Sequence, residues 1–163
     1  MKVGIIGLGR MGEGMSRRML KEGIETYGYR RNFAKACEAA DSGYITAAAD
    51  SLESLVQVVK SDGVPGIFQL VIPAELVEDT INDLLPLLGP GDIIIDHGNS
   101  NFKDARRRAE YLADLGIEYI DCGTSGGVYG LERGYCLMVG GTNCAVSTCS
   151  PIFRALAPGI GSA

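Results

Sequence analysis

The sequence predicts a doubly wound α/β fold, a mostly parallel sheet with helices on both faces. Three observations carry that prediction. Short apolar runs alternate with helix-patterned stretches through most of the chain. The runs at residues 67–72 and 92–96 are apolar apart from Gln69 and the flanking Asp92 and Asp96, as strands buried on both faces require. The first run, residues 2–7, leads into Gly7-Leu8-Gly9-Arg10-Met11-Gly12, and helix-patterned sequence follows at once. Strand, tight turn and helix in that order make a Gly-x-Gly-x-x-Gly more than a set of ordinary turn glycines.

The elements follow in order. Residues 2–7 give the first strand and residues 10–22 the first helix, with Gly23 as its stop. Met11, Met15 and Met19, spaced i, i+4, i+8 with Leu20 beside them, form a core stripe. Residues 26–29 are the second strand, ending in Arg30-Arg31-Asn32; helix 33–41 and Gly43 follow, then a short strand near residues 44–47. Ser51 caps a helix over 52–60, with Leu52, Leu55, Val56 and Val59 inward. Asp62-Gly63 turns the chain into strand 67–72, where Gln69 is the polar exception. Pro73 suits the first turn of a helix whose apolar face is Leu76, Val77, Ile81, Leu84, Leu85 and Leu88, and Gly89-Pro90-Gly91 ends it. Strand 92–96 leads to a helix capped by Ser100 or Asn101 and running to about residue 115, then to strand 117–120. Residues 123–134 are a glycine-rich loop and 135–139 are extended. Residues 143–156 are helical, with Pro151 starting a new segment or kinking this one. There is no repeat or internal linker, so residues 1–163 read as one dinucleotide-binding domain.

Composition bounds the function. A net charge of −5 argues against general nucleic-acid binding, and no apolar run is long enough to span a bilayer. The N-terminus is strand-patterned and lacks the plan of a secretory signal, so the expected compartment is cytoplasmic. The five cysteines, with no C-x-x-C, are expected to be reduced and mostly buried. His97 is the only histidine and the cysteines lack zinc spacing, so no metal site is expected.

In a doubly wound sheet, ligands sit outside the carboxyl ends of the strands. At the first end Gly7 permits the turn, Gly9 lets a pyrophosphate approach the backbone and Gly12 lets helix and strand pack closely. The helix N-terminus offers N–H groups to the phosphates. This is a Rossmann-type dinucleotide site. The second end selects the cofactor. NAD binders place an acid there, whereas this chain has Arg30-Arg31, which would grip a 2′-phosphate and favour NADP over NAD. The plainer alternative is two solvated arginines. The third end, Val71-Ile72-Pro73-Ala74, either lies against the nicotinamide half or is a simple strand–helix junction. At the fourth, Asp96-His97-Gly98-Asn99-Ser100, Asn99 is either a ligand or a cap. At the fifth, Gly123-Thr124-Ser125-Gly126-Gly127 either cradles a carboxylate or phosphate or is a flexible loop.

These residues resemble a known family. Gly7 to Gly12 is similar to the fingerprint of the β-hydroxyacid dehydrogenases. Gly123-Thr124-Ser125-Gly126-Gly127 resembles their Gly-x-Ser-Gly-Gly loop, and Leu137-Met138-Val139-Gly140-Gly141 their Leu-Met-x-Gly-Gly. Asp96-x-Gly98-Asn99-Ser100-Asn101-Phe102-Lys103-Asp104 resembles 6-phosphogluconate dehydrogenase, where other members carry Ser-Thr for Asn99-Ser100. The run 127–138 resembles its shorter bacterial form. The resemblance implies that Gly7, Leu8, Gly9, Arg10, Met11 and Gly12 hold the pyrophosphate. Arg31, with Arg30 and Asn32, would hold the 2′-phosphate, and Val71, Ile72 and Pro73 would line the nicotinamide side. Asn99 would touch cofactor and sugar acid, and Ser125, Gly126 and Gly127 would bind the substrate. Two departures stand out. His97 replaces a glycine, read as packing rather than titration, and Val128-Tyr129 replaces the acidic pair of the long form.

The implied reaction oxidises 6-phospho-D-gluconate at C3 and decarboxylates the product to ribulose 5-phosphate. The family's base and acid, a lysine and a glutamate, lie on a following helical domain that this sequence does not reach. No catalytic residue is therefore assigned here, and the chain is expected to be the cofactor-binding part of a longer, homo-oligomeric enzyme. The alternatives are another β-hydroxyacid dehydrogenase, 3-hydroxyisobutyrate-like, or a non-catalytic nucleotide-sensing module.

Overall fold

The computed structural model describes residues 1–159; the end of the expected domain, 160–163, lies outside the described residues. Seven strands form one sheet: β1 (Lys2–Ile6), β2 (Glu25–Tyr29), β3 (Ala47–Ala49), β4 (Ile67–Leu70), β5 (Ile93–Asp96), β6 (Glu118–Ser125) and β7 (Cys136–Gly140). Their order is β3-β2-β1-β4-β5-β6-β7. All neighbours pair in parallel except β6 and β7, which are antiparallel. The chain winds outward from β1 one way, then crosses to β4 and winds the other way. The switch point therefore opens between β1 and β4, at their carboxyl ends.

The period-two alternation of the strands divides the core in two. Val3, Ile5, Ile93 and Ile95 face one layer, with Met15 and Met19 of α1 (Arg10–Lys21), Ala36 and Ala39 of α2 (Phe33–Asp41) and Ile152 and Leu156 of α8 (Ser150–Leu156). Ile6, Phe68, Leu70 and Ile94 face the other, with Leu55 of α3 (Leu52–Val59), Val77 and Ile81 of α4 (Ala74–Leu84) and Leu112 of α5 (Phe102–Asp114). The methionine stripe is core: Met15 and Met19 are fully buried. Ser51 caps α3 in a reciprocal capping box with Ser54.

The third strand lies at Ala47–Ala49 rather than near 44–47, because Tyr44 N–H and Gly43 N–H are still closing the end of α2 on Ala39 and Ala40. Pro73 is the N-cap of α4 rather than its first residue, and a 3-10 turn at Leu85–Leu87 finishes it. Leu76, expected inward, is 37% exposed. Asn101 caps α5, accepting from Lys103 N–H at 2.9 Å. The last helical stretch divides at Cys149 into α7 (Asn143–Thr148) and α8, with Pro151 in the first turn of α8. All five cysteines are free thiols, but only Cys122 and Cys149 are buried; Cys136 and Cys144 are exposed because they fall on an edge strand and on the outer side of a short helix.

Candidate nucleotide-binding site

The glycine turn is built as its spacing requires. Gly7 has φ +102°, and a Cβ there would lie 2.2 Å from the Val71 carbonyl oxygen. A Cβ on Gly12 would be 2.0 Å from the Gly7 carbonyl oxygen. The protein itself excludes side chains at both positions. Gly9 differs: it is the extended N-cap of α1, and a Cβ there would meet nothing within 4 Å. No side chain caps α1, and its first backbone bond runs from Glu13 N–H to the Gly9 carbonyl at 2.9 Å. Open space in front of uncapped first-turn N–H groups is what a diphosphate needs. The group therefore fits the residues present. Leu8 and Met11 turn their side chains into the core, leaving only backbone to offer. Arg10 is exposed.

Gly7 N–H donates to the Tyr29 carbonyl at 3.0 Å, and Val71 N–H to the Ile6 carbonyl at 2.8 Å, drawing three strand ends together. Between them opens a cleft of about 230 Å³, lined by Ile6, Gly7, Tyr29, Arg30, Arg31, Leu52, Ile72, Leu76, Asp79, Thr80 and Asp83. Arg30 donates from Nη1 to the Leu8 carbonyl at 2.9 Å and so braces the glycine turn. Arg31 is exposed. Asn32 is committed locally: its Oδ1 accepts from Lys35 N–H at 3.3 Å and caps α2.

The site continues along the strand ends. A Cβ on Gly98 would lie 3.0 Å from the Ile72 carbonyl oxygen, so the loop after β5 abuts the end of β4. Asn99 has φ +52°, the one non-glycine with positive φ among the described residues. Asn tolerates this region better than most residues, and its amide here grips β6. Its Oδ1 accepts from Thr124 N–H at 3.1 Å while its Nδ2 donates to the Thr124 carbonyl at 3.4 Å. Asp96, fully buried, holds the loop: its carboxylate accepts from Gly98 N–H at 2.7 Å, from the Ser100 hydroxyl at 2.6 Å and from the Tyr119 hydroxyl at 2.6 Å. Burial, then that bond to Asp96, pushes the Tyr119 phenol well above its ordinary range.

His97 packs, as its sequence context suggested. It is 3% exposed, with Nδ1 2.7 Å from the Thr124 hydroxyl and Nε2 3.0 Å from Gln69 Oε1. The Gln69 amide nitrogen points to Met19 Sδ at 3.3 Å, which leaves its oxygen for the ring. Both ring nitrogens are thus engaged, and the Thr124 hydroxyl has the Cys122 carbonyl at 2.8 Å as a second acceptor for its one proton. Burial holds its pKa down at about 4 against the pull of Asp96.

The fifth strand end departs from the expected loop. β6 continues through Thr124 and Ser125, because it pairs with β7 as far as Ser125 opposite Cys136. Ser125 is exposed at its tip. Gly126 and Gly127, at φ +152° and +50°, then turn into a 3-10 segment at Gly127–Tyr129 and α6 (Gly130–Arg133). The cleft itself joins Gly7, Arg30, Arg31 and Ile72; Asn99 and Ser125–Gly127 lie further along the same edge. Sequence reading missed the α4 wall. Leu76, Asp79, Thr80 and Asp83 follow i, i+3, i+4, i+7, a single helix face that the spacing displays. Thr124 was also missed; it was visible only as the variable position of a glycine-rich run.

A doubly wound sheet with this turn at its switch point defines a dinucleotide-binding domain of the oxidoreductases. Residues 2–161 match the family model described as the NAD binding domain of 6-phosphogluconate dehydrogenase. The chain belongs to that family, an NAD(P)-binding domain. It is 40% identical over 159 residues to the NAD(+)-dependent, decarboxylating 6-phosphogluconate dehydrogenase of Haloferax volcanii, covering 98% of this chain and 51% of that protein. It is 36% identical over 154 residues to a putative 6-phosphogluconate dehydrogenase of Bacillus subtilis, covering 94% of this chain and 50% of that one. The chain thus spans about half the length of these relatives. Among solved structures it superposes on Plasmodium falciparum 6-phosphogluconate dehydrogenase with a TM-score of 0.88 at 27% identity, covering 100% of this chain and 35% of that one. That enzyme was solved with its cofactor NADP+ and with its substrate 6-phosphogluconate. It also superposes on Salmonella typhimurium 3-hydroxyisobutyrate dehydrogenase with a TM-score of 0.80 at 28% identity, covering 96% of this chain and 53% of that one.

Proposed function

We propose that the chain is the cofactor-binding domain of a decarboxylating 6-phosphogluconate dehydrogenase that uses NADP in preference to NAD. The observation that carries this reading is the cradle at Gly9, open and uncapped, with exposed Arg31 at the next strand end and no carboxylate at that strand end. The N–H groups that open α1 hold the diphosphate. Arg30 keeps the turn in shape through the Leu8 carbonyl, which leaves Arg31 for the 2′-phosphate. Ile72 and Pro73 shield the nicotinamide side from water, Ile72 beside Gly7 and Gly98. When bound, the nicotinamide accepts a hydride from the substrate carbon.

Asn99 is held by Thr124 at the meeting of the two ligands and orients the sugar acid, with Ser125, Gly126 and Gly127 receiving its carboxylate and hydroxyl end. The proton-transfer groups are assigned to a helical domain outside this chain, a lysine as base and a glutamate as acid. Binding is then expected without turnover. Calorimetry of the purified chain should show NADP+ binding more tightly than NAD+, and Arg31→Ala should weaken NADP+ at least about tenfold with little change for NAD+. Equal affinities, or robust turnover by the chain alone, would overturn the proposal.

The likeness to a 3-hydroxyisobutyrate dehydrogenase supports a second reading, a small hydroxy acid without phosphate as substrate. Asn99-Ser100 favours the first. A panel of both acids on an enzyme containing this domain separates them, and a chain that binds nucleotide but belongs to no active enzyme would be the sensing module.

A further inference from the structure

The cleft at the second strand end carries charges of both signs. Arg30 and Arg31, which follow β2, and Asp79 and Asp83, on α4, line it together with apolar Ile6, Leu52, Ile72 and Leu76. Arg30 is engaged with the Leu8 carbonyl, so Arg31 is the guanidinium left to share the cleft with two carboxylates. Both aspartates are exposed, and among the described residues no ion pair or hydrogen bond of their side chains is found. Asp83 is also misplaced for its helix. It sits in the last turn of α4, where the carbonyl ends favour a cation, and that turn has no basic residue. A local rule broken on the wall of a binding cleft points to function rather than folding.

We propose that Asp79 and Asp83 are specificity-determining residues. They form a counter-charge wall that restrains the preference for the 2′-phosphorylated ribose set by Arg31. This rests on the reading that the adenosine end of the cofactor lies in this cleft. A 2′-phosphate brought beside Arg31 carries close to two negative charges past two carboxylates, whereas an unmodified ribose carries none. Repulsion therefore acts on NADP and spares NAD. The carboxylates are solvated and the repulsion is screened over about 8 Å at physiological salt, so the effect is moderate. Their hydrogen-bonding capacity remains available to the ribose and adenine of either nucleotide.

The test is calorimetric titration of NADP+ and NAD+ into the wild-type chain, the Asp79→Asn/Asp83→Asn double variant and, as a control of equal charge change per site, Asp114→Asn at the far end of α5. In the double variant the NADP+ dissociation constant should fall about three- to tenfold, NAD+ should change less than about twofold, and the gain should shrink at high salt. Asp114→Asn should move neither. Because neither aspartate is used in packing, the double variant should unfold at or above the wild-type temperature. An unchanged NADP/NAD ratio, or an equal gain for both nucleotides, overturns the proposal. Failure of the underlying reading looks different: the wild-type chain would bind neither nucleotide, or Arg31→Ala would leave NADP+ affinity intact.

Discussion

Gly7, Gly9 and Gly12 are equivalent in the motif but not in the structure. Gly7 and Gly12 are demanded by the fold, since a methyl group would strike backbone at 2.2 and 2.0 Å, and Gly9 is demanded by nothing the chain itself supplies. Gly12→Ala should therefore cost about 1–3 kcal/mol in chemical denaturation. Gly9→Ala should change stability by less than about 0.5 kcal/mol yet weaken nucleotide binding about tenfold or more. Comparable destabilisation by both would remove the distinction. His97 supplies a pH-dependent term. Its pKa is about 4 folded against 6.5 for the free side chain, so the unfolded chain takes up the proton first as the pH falls. The stability from keeping the ring neutral is fully present above about pH 6.5 and is lost progressively down to about pH 4. It amounts to about 3 kcal/mol, at about 1.4 per pH unit. Denaturation midpoints of wild type and His97→Gln between pH 7 and 4.5 should converge as the pH drops; parallel curves would contradict the neutral buried ring.

Among elements, one carboxylate ties three together at the end of the sheet opposite the site. Asp92 is fully buried and accepts from Lys60 Nζ at 2.6 Å, from Gly66 N–H at 2.7 Å and from Gly89 N–H at 2.8 Å. It joins the end of α3, the approach to β4 and the turn before β5. Asp92→Ala leaves two backbone donors and a cation short of a partner and should cost about 3 kcal/mol without altering nucleotide affinity. An affinity loss equal to the stability loss would mean the two ends of the sheet are coupled. At this scale the sequence was most readable where period and caps agree: the strands at 67–72 and 92–96, the methionine stripe and Ser51. It was least readable where tertiary pairing decides. β6 runs on to Ser125 only because β7 lies against it, and no local pattern separates a paired Gly-Thr-Ser from a loop. Leu76 kept the helical period but faces a cleft, which periodicity cannot tell from a core.

Over the whole molecule, the doubly wound order brings β1, β2, β4, β5 and β6 to one edge, and the glycine turn, Arg31, Asn99 and Ser125 stand on it. The motif and the strand-end arginines were legible because a tight turn, a helix start and a guanidinium pair are local signals. The clamp of Asn99 on Thr124 and the acidic wall of α4 were not, because they depend on which strand ends become neighbours. Among the described residues no helix is long and apolar enough to cross a membrane, and no three acidic, histidine or cysteine side chains converge on a metal position. The most direct measurement is the crystal structure of this chain soaked with NADP+. The account expects the diphosphate on the N–H groups that begin α1, over Gly9, with the 2′-phosphate on Arg31. Density for the cofactor elsewhere, or a 2′-phosphate turned away from Arg31, would contradict it.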